Sequence, residues 1–433
     1  MKRNIFDNLY VVIGIPCLFM MMVTSRGFTN IKTTLLGATI IISVLEIIIT
    51  HSRFNKRDFF YLFGFIIYYM FSLLWGIIGG YPFSFNIDFS LIQYYAITPI
   101  AIYLGYMIFR DKPSRTKLLV QAVTIISLFI VIMDVWKLLA YENVLPDIDK
   151  FNLIMVASDN MYDDKLALRV SNEHVLMYLL PFYIIMLLDP KCDNKKRIIY
   201  SFIILLGCIY AIISGRKMLE LAIIITIIMM VIYMIIIKQR YDLFYKITIV
   251  VVILVIVGNK VSELLGVKSI FLMAKNTLEA GLSGNANGVI TRKEDTRALF
   301  DMWLNSPLWG NGLNSYSDVS IANSTTKWSY EVVYTALLAQ TGIIGIWLLL
   351  IGVVHILKVN LKLFRLTNVY IYFASFWAFL IFFLAGSSNP FVYTAWPWVL
   401  SLALGREKGL KPLYEEDNNN IKENISQVFS NQN

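Results

Sequence analysis

The hydrophobic positions fall in long unbroken runs, not in an alternating pattern. Runs of about 20 apolar residues recur along the chain, each long enough to cross a bilayer as a helix. The strands of a membrane barrel would alternate apolar and polar residues. About twelve helical spans are predicted, at 8–24, 33–50, 58–79, 90–109, 117–140, 172–188, 196–214, 217–238, 243–258, 331–357, 367–385 and 389–404. The expectation is an all-α, polytopic helical membrane protein with one transmembrane domain over residues 1–404. Two connections are long, 141–171 and 258–330. The tail, 405–433, turns polar and Asn-rich, which predicts a disordered cytoplasmic segment. No internal repeat and no matched pair of interrupted helices suggests an inverted-repeat transporter.

Composition agrees with this pattern. Of 433 residues, 58% are hydrophobic and 15% charged, against roughly 25% charged in a soluble domain. The net charge of +9 need not mean nucleic acid, because cytoplasmic loops of membrane proteins are rich in Lys and Arg. With the N-terminus inside, the short inner loops carry 17 Lys/Arg and the short outer loops 4. Both termini are then expected in the cytoplasm, with both long loops outside. Cys17, Cys192 and Cys208 are far apart and make neither a metal spacing nor a disulfide framework. The basic start and first apolar run lack a small-x-small cleavage site, so a retained first helix is expected.

The polar chemistry gathers in residues 291–345. Thr291 and Glu294 fit a capping box, which predicts a helix starting at Thr291 with Arg292 in its first turn. Ala298, Leu299, Met302 and Trp303 share one face of it, as in a short amphipathic helix lying on the membrane surface. Asn305-Ser306-Pro307 should end the helix. Gly310-Asn311-Gly312 then turns the chain back. No strand precedes it, so it is not a nucleotide loop.

Charged residues elsewhere have two readings each. Arg292 is either a solvated cation or a phosphate clamp. Arg216, in the outer turn Ser214-Gly215-Arg216-Lys217, either anchors lipid headgroups or binds phosphate through its planar fork. Glu220, four residues on, is placed to orient it. Glu331, at the outer start of the 331–357 span, is either a carboxylate favoured by the helix dipole or a general base. Arg169 and His174 sit where the first long loop enters its span, as surface groups or cavity lining. Asp134 and Lys137 share a helix face as a structural pair or as the lining of a polar cavity. Glu46, near the inner end of its span, is expected to snorkel.

The Arg292 segment, Ser-Pro-Leu-Trp-Gly-Asn-Gly and the later Leu-Ala-Gln-Thr-Gly-Ile-Ile-Gly together resemble the superfamily of O-antigen polymerases and ligases. Those membrane glycosyltransferases typically carry an arginine about fifteen residues before a Pro-x-x-Gly-x-Gly turn; here Arg292 precedes Pro307, Gly310 and Gly312. They also carry an Arg in a short outer turn like that of Arg216. In the ligases a histidine stands eleven residues before the first glycine of Gly-x-x-Gly, where this chain has Glu331. That departure favours a polymerase of O-antigen or a related surface polysaccharide in a bacterial inner membrane.

The resemblance implies an undecaprenyl diphosphate-linked oligosaccharide as substrate, with membrane lipids and a chain-length regulator protein as further partners. It implies that Arg216 and Arg292, then Arg297 and Arg169, hold the diphosphate. Glu331, then Asp295, would serve as base. No metal or other cofactor is expected, because the lipid carrier is itself an activated donor. A ligase, or a lipid-linked oligosaccharide flippase, is the alternative.

Overall fold

The computed structural model describes residues 2–23, 29–50, 67–68, 70–78, 98–109, 113–141, 145–146, 157–162, 165–170, 173–214, 217–237, 256, 260, 287–313, 315–317, 330–385 and 395–404. Helix occupies part of every predicted span, though 243–258 is described only at Ile256; the tail lies outside the described residues. The elements are α1 (Lys2–Leu9) and α2 (Ile15–Val23), joined by a π-helical turn (Tyr10–Gly14), then α3 (Thr29–Thr50), α4 (Thr98–Phe109) and α5 (Pro113–Tyr141). Next come β1 (Ala157–Tyr162), β2 (Lys165–Val170), α6 (Glu173–Met186), α7 (Asn194–Ser214) and α8 (Lys217–Ile232). The described part closes with α9 (Asn287–Asn305), α10 (Val333–Thr367), α11 (Tyr370–Ala385) and α12 (Ala395–Leu404). Five described helical stretches are long and apolar enough to cross a membrane: Ile5–Val23, Asn30–Thr50, Ser114–Lys137, Met218–Ile235 and Val333–Thr367. The chain is a helical, multi-pass membrane protein.

The all-α expectation needs one correction. β1 and β2 form an antiparallel hairpin inside the 141–171 loop, with Tyr162 opposite Lys165 and Ser158 opposite Arg169. The signal was present: Leu166, Leu168 and Val170 alternate with Lys165, Ala167 and Arg169 at the strand period of two. The hairpin sits against α5 and α7.

The core is built around α6, which packs on α11, α8 and α7. Helices in lipid gain little from apolar contact alone, so close packing and interhelical hydrogen bonds set their partners. Tyr178 of α6 bonds Ser401 of α12 at 2.8 Å, Tyr183 bonds Ser127 of α5 at 2.9 Å, and Trp377 of α11 donates to Thr226 of α8 at 3.0 Å.

Glu46 does not snorkel. It is buried, and Arg115 donates to both its oxygens at 2.8 and 2.9 Å. Arg115 also donates to Asp7 Oδ1 at 2.5 Å and to the Ile108 carbonyl at 3.0 Å, while Tyr10 donates to Glu46 at 3.0 Å. One guanidinium thus ties together α1, α3, the end of α4 and the start of α5. A fork-to-fork pair satisfied on every side explains why the carboxylate stays inside. Removing one partner leaves a buried charge and costs about 3–5 kcal/mol. Glu46→Ala should therefore lower the unfolding temperature strongly in detergent. The double variant Glu46→Leu/Arg115→Leu should lower it less, because the only carboxylate left without its partner, Asp7, is partly exposed.

Candidate functional site

The site is organised by a break in α10. Gly342 has φ 65° and ψ −172°, so the helix stops at 341 and restarts at 343. Such a break strands carbonyls on one side and N–H groups on the other, which must find partners away from water. The segment after α9 supplies them. The Asn311 and Gly312 N–H groups donate to the Ala339 and Gln340 carbonyls at 2.9 and 2.8 Å. The Ile343 and Ile344 N–H groups donate to the Pro307 and Leu308 carbonyls at 3.0 and 3.2 Å. Asn311 adds its side-chain amide, bonding the Met302 carbonyl at 2.8 Å and the Ala339 carbonyl at 3.1 Å. Trp75 donates to the Gly310 carbonyl at 2.9 Å. The Pro-Leu-Trp-Gly-Asn-Gly turn and the Gln-Thr-Gly-Ile-Ile segment are two halves of one backbone interlock.

This interlock fixes α9. Leu299 is buried and Met302 and Trp303 are partly buried on one face, as the spacing predicts. That face does not lie on the membrane surface: it packs on Ala336 and Ala339 of α10 and on Tyr330. The helix ends at Asn305 before Pro307, and Trp303 donates its indole N–H to the Pro307 carbonyl at 3.0 Å. Phe300 and Leu304 of α9, and Leu308 and Trp309 of the turn after it, are exposed. Trp309 lies against Phe71 and Trp75, with ring centroids at 5.5 and 6.2 Å.

The start of α9 is a correction. The helix begins at Asn287, one turn before Thr291. Val289 and Ile290 carry the helix through the predicted start. Arg292 is therefore past the first turn, and its attraction for an anion must come from its own charge and its neighbours. Those neighbours are Lys293, Thr296, Arg297 and Phe300, which border a shallow, open surface groove along α9 with it.

Arg292 also meets Glu331. Its Nε and Nη2 donate to Glu331 Oε2 at 3.2 and 3.0 Å, and both side chains are 47% exposed. The two residues given opposite jobs, phosphate clamp and base, thus come together. An exposed pair of this kind contributes about 0–1 kcal/mol. Arg292→Ala should leave the unfolding midpoint nearly unchanged.

The other candidates divide. Arg297 faces the same groove as Arg292. Asp295, the second choice as base, is buried at 2% exposure on the Leu299 face of α9, turned from the groove. Asp134 and Lys137 are both buried in α5 at one face, away from bulk water. Glu220 is in the first turn of α8. Arg169 stands in β2 and His174 in the first turn of α6, with the placement of both side chains outside the described set. Arg216 lies outside the described residues. Among the described residues, no cluster of His, Cys, Asp or Glu could hold a metal ion. Sequence reasoning missed Lys293 and Thr296, which the helical spacing 292, 293, 296, 297, 300 would have placed beside Arg292. It also missed Asn311 as the tie between α9 and α10.

No protein-family model matches the chain, and no curated protein matches it.

Proposed function

We propose that the chain is a membrane glycosyltransferase that polymerises lipid-linked repeat units of O-antigen or a related surface polysaccharide. It spans a bacterial inner membrane about twelve times, with both termini in the cytoplasm and the 258–330 loop on the outer face. The observation that carries the reading is the half-exposed Arg292–Glu331 pair beside a groove with three cations, Arg292, Lys293 and Arg297.

The reaction asks for two functions that this pair can supply. The acceptor hydroxyl oxygen attacks the anomeric carbon of the donor glycan. The bond from that carbon to the diphosphate oxygen breaks, and undecaprenyl diphosphate leaves with the electron pair. The hydroxyl proton passes to a carboxylate, here Glu331, and then to water. The negative charge growing on the diphosphate is stabilised by Arg292 and Arg297, preorganised on one helix, with Arg216 proposed as a further clamp. The exposed row of Phe300, Leu304, Leu308 and Trp309 gives the lipid an apolar border at the membrane surface.

Reconstitution tests this. The purified chain in bilayers, given undecaprenyl diphosphate-linked repeat units, should lengthen the glycan and release one undecaprenyl diphosphate per linkage formed. Substrate that crosses the bilayer without lengthening would instead indicate a flippase.

A further inference from the structure

The Arg292–Glu331 contact has a consequence for the order of events, which rests on the polymerase reading above. Both nitrogens of one guanidinium edge, Nε and Nη2, are committed to a single carboxylate oxygen of Glu331. That edge is a natural bidentate grip for a phosphate. Glu331 and a diphosphate therefore compete for the same face of Arg292. The competition is easily tipped. Both side chains are half-exposed, so water and salt weaken the pair. Arg292 also shares its groove with Lys293 and Arg297, which attract a multivalent anion but are not themselves ion-paired to Glu331.

We infer that Glu331 is a latch on Arg292, displaced by the donor's diphosphate and only then free to accept the acceptor hydroxyl's hydrogen. In the resting state the pair holds both groups idle. The diphosphate takes the Nε–Nη2 edge, and the carboxylate swings off with its lone pairs unoccupied. Donor binding thus arms the base. Glu331 is placed to swing because it precedes the first helical residue of α10, Val333, while the α9–α10 interlock keeps Arg292 in position.

The test is titration of inorganic pyrophosphate into the full-length protein in nanodiscs at low salt, followed by calorimetry. Wild type should bind, and Arg292→Ala should bind at least tenfold more weakly. Glu331→Gln removes the competitor and should bind roughly two- to fivefold tighter. Glu294→Gln removes an exposed carboxylate on α9 that does not line the groove, and should bind like wild type. A Glu331→Gln protein that binds no tighter than wild type, while Arg292→Ala still loses binding, overturns the latch and leaves the phosphate site standing. An equal gain from Glu294→Gln also overturns it, because the effect would then be loss of any nearby negative charge. Wild-type protein that binds no pyrophosphate overturns both the latch and the site it rests on.

Discussion

Gly342→Val should abolish accumulation of folded protein in the membrane. Two costs add. The backbone at Gly342, φ 65° with ψ −172°, lies in a region open almost only to glycine, and holding another residue there costs roughly 1–3 kcal/mol. A Cβ at this position would also lie 2.2 Å from the Leu308 carbonyl oxygen and 2.6 Å from the Gly310 nitrogen, both backbone atoms that cannot swing aside. Relief requires pulling the turn off the break, which strands the carbonyls and N–H groups it satisfies. Each such group away from water costs several kcal/mol. Gly310→Val should behave alike, since its Cβ would meet Gln340 backbone atoms at 2.4 Å with φ 74°. Gly37→Ala is the contrast: it sits in α3 with nothing within 4 Å of a new Cβ, and should be neutral or stabilising by up to about 1 kcal/mol. Detergent-solubilised yield and a monodisperse size-exclusion peak read the difference. A Gly342→Val protein that matches wild type in both would remove the interlock from the account.

Arg292→Ala should leave the protein folded and cut polymer formation by roughly 10²–10³-fold, the usual loss when one preorganised electrostatic contact to a developing anion is removed. The half-exposed pair with Glu331 makes this a clean probe, because little stability is lost with it. Arg292→Lys keeps the charge but not the planar fork, and should recover only part of the rate. The measurement is the length distribution of surface glycan, with membrane protein level matched to wild type. Full-length glycan from Arg292→Ala would take Arg292 out of the machinery.

The sequence made the helical architecture legible because its apolar runs are as long as a bilayer is thick, and nothing else needs such runs. It also marked Arg292, inside the long loop, and Glu331, at the start of the span that follows it. What it could not show is what the glycines between them do. Read along the chain, Pro307, Gly310 and Gly312 are a turn, and Gly342 is a small residue inside a span. Only the fold shows that the turn supplies partners for a broken helix, because those partners are backbone atoms with no side-chain signature. The same holds for Asp295: the helical period puts it on the Leu299 face, yet which face of α9 meets α10 is a tertiary fact. The burial of Glu46 is hidden for a related reason: its partner Arg115 is far along the chain and carries the look of an ordinary inner-loop cation. The hairpin at 157–170 does leave a signal, the alternation of Leu166, Leu168 and Val170 with their neighbours.

The central claim is polymerisation, and deletion of the gene in its host, followed by gel separation of the surface glycan, tests it most directly. The ladder of repeat lengths should collapse to a single repeat unit on the acceptor, and the wild-type gene should restore the ladder. Loss of every repeat, as expected for a missing ligase or flippase, or an unchanged ladder, would contradict it.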